Sequence, residues 1–133
     1  MKTVLVVEDN PINWKVFEKI LTKRGGLAAE HTEDVETILE IVNANKADII
    51  LMDICLENSY YNGKPINGIE ITKLLKANPN TAKVPVILVT ALGTKQDSEY
   101  FIKLSGADGF IGKPVVDQQD FISQIKALIC ASK

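Results

Sequence analysis

The chain has 133 residues, a length that fits one domain able to bury a core without disulfide or metal staples. With 46% hydrophobic and 24% charged residues it has the composition of an ordinary globular protein, and a net charge of −2 argues against nucleic acid as the main partner. Two cysteines far apart make no disulfide framework, no apolar run approaches the length of a membrane span and no signal-peptide pattern opens the chain, so a cytoplasmic protein is expected.

The first apolar run, Thr3–Val7, is short and β-branched and reads as a strand. Val16, Phe17, Ile20 and Leu21 then form a helical stripe. A weaker strand-like run, Leu27–His31, precedes Val35, Ile38, Leu39 and Val42, which follow helical spacing at i, i+3, i+4 and i+7. Asp48–Met52 is the third strand, and a long polar loop separates it from a helix marked by Ile71, Leu74 and Leu75. Pro85–Val89 is the fourth strand. Lys95–Leu104 follows, the least regular helical segment, mixing charges with Tyr100, Phe101, Ile102 and Leu104. Gly109–Ile111 reads as a fifth strand, and Phe121, Ile122, Ile125, Leu128 and Ile129 mark the last helix. There is no internal repeat, low-complexity tract or linker.

Five strand–helix units in alternation predict an α/β domain: a parallel sheet, helices on both faces and right-handed crossovers. Nearly continuous apolar runs suit strands buried on both faces. In open sheets of this kind the functional crevice lies beyond the carboxyl ends of the strands, where the strand order reverses.

Glu8, Asp9 and Asn10 follow the first strand, Asp53 the third, Thr90 the fourth and Lys113-Pro114 the fifth. Three carboxylates about 5 Å apart repel by roughly 3 kcal/mol per pair at an effective dielectric near 20. Such a cluster needs a cation. Hard oxygen ligands suit Mg²⁺, and Lys113 supplies a second positive charge. A divalent ion, an ammonium and a carboxylate together make a phosphoryl-transfer site, with Asp53 as nucleophile and the Thr90 hydroxyl donating to a phosphoryl oxygen.

Each residue also has a plainer reading. Asp53 alone is a strand-end or capping acid, and Glu8-Asp9-Asn10-Pro11 reads equally well as an N-cap with proline at the helix start. Thr90 alone is uninformative, and Lys113-Pro114 alone is a turn. Their joint occurrence at one rim favours chemistry. His31 falls on the second strand, away from the acidic rim, and reads as structural or surface. The acidic surroundings of Cys55 disfavour a thiolate, and Cys130 is expected at the opposite end of the sheet, unpaired with it.

The stretches "VLVVEDNPIN", "DIILMDICL", "VPVILVTAL" and "GADGFIGKP", in this order over essentially the whole chain, resemble the receiver domains of two-component response regulators. The resemblance implies a flavodoxin-like, doubly wound five-stranded parallel sheet of order 2-1-3-4-5 with five helices. It implies that Glu8 and Asp9 bind Mg²⁺ together with Asp53, the phospho-acceptor, and that Cys55 contributes its backbone carbonyl to the metal. Thr90 and Phe110 resemble the switch pair and Lys113 the phosphate-binding lysine, with the Lys113–Pro114 bond cis. Phe110 stands where many receivers have tyrosine, so a phenolic hydroxyl is absent there.

Two departures stand out. Glu57 occupies the usual place of a proline, and the expected glycine is best matched by Gly68, fifteen residues after Asp53. About seven extra residues, roughly Asn58–Pro65, enlarge the loop between them and include Tyr60, Tyr61 and the turn signal Asn62-Gly63.

The expected function is a switch rather than an enzyme. Asp53 would receive a phosphoryl group from a histidine kinase or phosphotransfer protein with Mg²⁺, and the switched state would dock a downstream protein. Residues 1–133 fit one receiver domain with no output domain, since the chain opens two residues before its first strand and stops just after its last helix. Cys55 and Leu92 carry no amide or carboxylate to orient water, so slow hydrolysis of the phosphoryl group is expected. An aspartate-nucleophile phosphatase would want a second Asp where Cys55 stands. A nucleotide or flavin binder would want a Gly- or Ser/Thr-rich first loop, where Glu8-Asp9 repels phosphate. A phosphorylation-independent scaffold would not need the complete set of acids, hydroxyl and lysine.

Overall fold

The protein is described from a computed structural model, over residues 2–56, 59–90, 95–113 and 117–131. In chain order it forms β1 (Thr3–Val7), α1 (Pro11–Lys19) running into a π-helical turn (Ile20–Arg24), β2 (Ala28–Thr32), α2 (Val35–Asn43) and β3 (Ile49–Asp53). There follow β4 (Tyr60–Tyr61), β5 (Lys64–Pro65), α3 (Gly68–Ala77), α4 (Pro79–Ala82), β6 (Val86–Thr90), α5 (Lys95–Ser105), β7 (Gly109–Gly112) and α6 (Gln118–Ala131).

The main sheet is β2-β1-β3-β6-β7 with every pair parallel, which is the expected 2-1-3-4-5 once the small hairpin β4–β5 is set aside. Order reverses between β1 and β3, so the crevice opens beyond Val7 and Met52, which are paired. β3 and β6 are buried at every position because helices cover both faces.

Strand side chains alternate between two cores. On one face Val4, Val6, Ile49, Leu51, Ile87, Val89 and Ile111 pack under α1, the π-helical turn and α6, where Phe17 and Phe121 stack with centroids 5.8 Å apart. On the other, Leu5, Val7, Ile50, Met52, Val86 and Leu88 pack against α2 and α3 through Val35, Ile38, Val42, Ile71 and Leu75. This alternation places the site. Glu8, Asp53 and Lys113 continue the first stripe past the strand ends, whereas Phe110 packs with the second and Thr90 follows Leu88 on it.

The structure adds to the expected elements. There are six helices rather than five among the described residues, because α4 is a four-residue helix with no apolar period. It is held by local polar bonds: the Asn78 side chain accepts from Asn80 N at 2.9 Å, and Thr81 Oγ1 donates to Leu75 O at 2.6 Å. The enlarged loop is itself structured. Asn62 (φ 54°) and Gly63 (φ 78°) take the left-handed conformations of a tight hairpin turn, so the turn signal produces β4 and β5. No helix among the described residues is long and apolar enough to cross a membrane. Glu57, Leu92 and Pro114, on which three sequence expectations rest, lie outside the described residues.

Candidate functional site

Three strand ends build the site. Past β1, the Asn10 side chain caps α1, accepting from Ile12 N at 2.9 Å and Asn13 N at 3.3 Å, with Pro11 at the first helical position. The cap is therefore made by Asn10, and the acids before it face the rim. The capping reading of this segment is met by Asn10 and Pro11. Glu8 is only 1% exposed and Asp53, the last residue of β3, only 5%. Lys113 follows β7 directly, positioned by its own N–H donating to Thr90 O at 2.8 Å.

Lys113 Nζ lies 3.0 Å from Glu8 Oε1 and 3.4 Å from Asp53 Oδ2, joining residues 105 positions apart. Asp53 Oδ1 accepts from Cys55 N at 3.2 Å. Glu8, Asp9 and Asp53 each bring a carboxylate oxygen within 4.8 Å of the others. Among the described residues, three acids thus meet the Lys113 ammonium.

The electrostatics follow. Burial, a hydrogen bond shared with Glu8 and the Glu8 charge push the Asp53 carboxyl up to about 7, against the pull of Lys113 and the Cys55 N–H. Burial also pushes Glu8 up, but its bonds to Asp53 and Lys113 outweigh this and hold it below the usual carboxylate range. Lys113 is pushed down by burial, yet the two carboxylates prevail and raise it. Near neutrality the Asp53 carboxyl is therefore only partly ionised. A hard cation held by these oxygens favours the ionised form. The donor set, all oxygen and all clustered, fits such an ion.

Thr90 ends β6 and is buried; its neighbour Val89 pairs with Asp53, and Gly112 lies opposite. Half-buried Phe110 shares its face of the sheet. Cys55 is exposed, and Cys55 and Cys130 are both unpaired. Leu128, near Cys130, packs over Gly109 at the start of β7, so the two cysteines sit at opposite ends of the sheet as expected. On α5, Tyr100 and Leu104 are exposed and Phe101 packs on the core.

Gly68 is indispensable where it stands. A Cβ there would lie 2.0 Å from the Asp53 carbonyl oxygen, while its N–H donates to Ile54 O at 3.1 Å. Only glycine allows α3 to start this close to the end of β3.

His31 is not remote from the rim, which corrects the sequence reading. Its Nε2 contacts the Glu8 carbonyl oxygen, and its ring stacks on Trp14 at 4.9 Å. The register pairs His31 with Val6, one step short of the strand end, and a long ring bridges the remaining distance. Nothing in the local sequence signals this, because it depends on the pairing of β1 with β2.

The response regulator receiver domain family matches residues 4–126. The polar-differentiation response regulator DivK of Brucella anthropi is 34% identical over 128 residues, covering 96% of each chain, and DivK of Brucella ovis matches to the same extent. Among solved structures, the receiver domain of a signal transduction histidine kinase from Syntrophus aciditrophicus has a TM-score of 0.80 at 26% identity, covering 100% of this chain and 93% of that one. The receiver domain of a Pseudomonas aeruginosa sensor histidine kinase, with a magnesium ion coordinated in its active-site cleft, has a TM-score of 0.78 at 26% identity, covering 97% and 98%. A family match across nearly the whole length, together with this sheet order and this rim, means that the chain belongs to the response regulator receiver domains of two-component systems.

Proposed function

We propose that the protein is a phospho-accepting switch in which Asp53 receives a phosphoryl group from a phosphohistidine of a histidine kinase or phosphotransfer protein. The observation that carries this reading is the meeting of Glu8, Asp9, Asp53 and Lys113 at one rim, with Lys113 Nζ at 3.0 and 3.4 Å from two of the carboxylates. Glu8, Asp9, Asp53 and the Cys55 carbonyl would hold Mg²⁺, which supplies charge neutralisation for the phosphoryl oxygens.

The residues then divide the work. Asp53, freed of its proton, attacks phosphorus in line; the nitrogen–phosphorus bond breaks and the imidazole leaves with the electron pair. Lys113 exchanges its contact with Asp53 for a phosphoryl oxygen. Thr90 donates its hydroxyl to another, and the shift of Thr90 is felt at Phe110 on the same stripe. The changed face docks a downstream protein. The domain thus turns over only its own phosphorylation and dephosphorylation.

Acetyl phosphate with Mg²⁺ should add one phosphoryl group, seen by intact mass and removed by hydroxylamine. Asp53→Asn should abolish the addition completely. Equal incorporation by the variant would overturn the assignment.

A further inference from the structure

Far from the acidic rim in character, a basic groove runs where the π-helical turn meets α6. Two depressions of about 200 and 480 Å³ share Lys23, Arg24 and Gln118. Lys19 and Lys126 complete the cationic lining, and no carboxylate lines either depression. Four cations gathered without an acid are unexpected in a chain of net charge −2. The ion pairs among the described residues engage Lys2, Lys76 and Lys113, and none of these four.

The backbone explains the gathering. Gly25 N donates to Ile20 O at 3.2 Å, an i to i+5 bond that widens the turn. Lys19, Lys23 and Arg24, spaced by four and five residues, all reach the groove from this widened turn. Gly25 lets the turn close on α6, since a Cβ there would lie 2.8 Å from Ile122 Cδ1. Basic residues at a helix C-terminus offset its dipole, which accounts for Lys19, Lys23 and Arg24. Lys126 comes from the middle of another helix and has no such duty.

We propose that this groove binds a small anion carrying at least two phosphate groups, of the size of a nucleoside diphosphate. The larger depression falls within the range of small-molecule sites. A guanidinium engages phosphate through paired hydrogen bonds, and lysines flank it as point charges. Gln118, Gln119 and Ser123 provide neutral hydrogen-bonding groups for the remainder of the ligand. The two depressions meeting at Arg24 offer separate seats for two phosphates. The site is independent of Asp53 phosphorylation, so either reading can fail alone.

The test is titration of the full chain, in EDTA to exclude metal bridging at the rim, with pyrophosphate and with ADP, read by calorimetry and by amide NMR shifts. Saturable, salt-sensitive binding with shifts at Gly25, Gln118 and Ser123 is expected. Lys23→Gln/Arg24→Gln/Lys126→Gln should weaken it by about 1,000-fold, at about tenfold for each of the three cations removed. Lys46→Gln, on the opposite side of the sheet, should not change it. These are exposed positions, and an unchanged melting temperature establishes that the triple variant is folded. Absence of saturable binding by both probes, binding that survives in the triple variant, or a glutamate-rich peptide binding as tightly as pyrophosphate would overturn the proposal.

Discussion

The acidic rim and the hairpin loop are neighbours in sequence but are assembled in opposite ways. The rim draws on positions 8, 9, 53 and 113, which meet only because the sheet sets β1 beside β3, β3 beside β6 and β6 beside β7. The hairpin closes on itself: Tyr60 pairs with Pro65, Tyr61 with Lys64, and Ile66 N donates to Ser59 O at 3.0 Å. It is tethered by Ser59 Oγ donating to Glu33 O at 2.6 Å and by Tyr61 packing against the core. The rim concentrates like charge in a buried place, whereas the hairpin is a local turn on the surface. Changes to the rim should therefore alter chemistry and pH response, and changes to the hairpin should cost a little stability and leave the chemistry intact.

The largest effect should come from the joint between the two regions. Gly68→Ala would force a methyl group to 2.0 Å from the Asp53 carbonyl, so β3 or α3 must move. A loss of about 3 kcal/mol is expected, a fall of roughly 10 °C in the melting temperature, together with impaired phosphorylation. A variant that melts within a degree of wild type and accepts phosphate normally would separate the two regions more fully than the structure does.

Next in size is the metal response. Mg²⁺ should raise the wild-type melting temperature, because it binds the folded acidic cluster and not the unfolded chain. Glu8→Ala/Asp9→Ala should show no such rise. An equal rise in both proteins would remove Mg²⁺ from this rim.

The pH response is subtler. Metal-free Asp53 sits at about 7, above its ordinary value of 3.8, so the folded protein keeps a proton that the unfolded chain releases. Its contribution is complete below about pH 4 and is lost as pH rises through about 7. Glu8 acts in the opposite sense, but its lowered value places its loss below its ordinary 4.5, and raised Lys113 matters only on the alkaline side. Between pH 5 and 8 in EDTA, wild-type stability should therefore fall more steeply with pH than that of Asp53→Asn. Parallel thermal-melt profiles for the two proteins would contradict the buried-proton account. Mg²⁺ should also stabilise wild type more at pH 8 than at pH 6, where it must displace that proton.

The smallest effect belongs to the hairpin. Gly63 has φ +78° with open space around it, so Gly63→Ala meets backbone strain and no clash. A cost of about 0.5–1 kcal/mol is expected, the left-handed penalty being partly offset by lower entropy in the unfolded chain. Incorporation from acetyl phosphate should be unchanged. A variant that loses phosphorylation would make the hairpin part of the site.

Much of this architecture was legible from local pattern. The apolar runs at Thr3–Val7 and Pro85–Val89 located their strands to within a residue, and Asn62-Gly63 marked its turn. α4 escaped notice because four residues held by Asn78 and Thr81 carry no periodicity. The π-helical turn escaped because its apolar residues, Ile20 and Leu21, suit an α-helical stripe equally well. His31 was misplaced because its contacts with Trp14 and Glu8 arise from strand register, which no local window contains.

By itself, then, the order of apolar runs determined an alternating α/β chain with acids, a hydroxyl and an ammonium just beyond its strand ends. Periodicity and strand-end chemistry are local properties, written within a few residues of each position. Tertiary structure alone decided that Lys113 bridges Glu8 and Asp53, that burial and Glu8 raise the Asp53 carboxyl above its usual range and that Lys126 joins the cations of the π-helical turn. Those outcomes depend on distance and desolvation between segments remote in the chain, and only the packed fold sets either quantity.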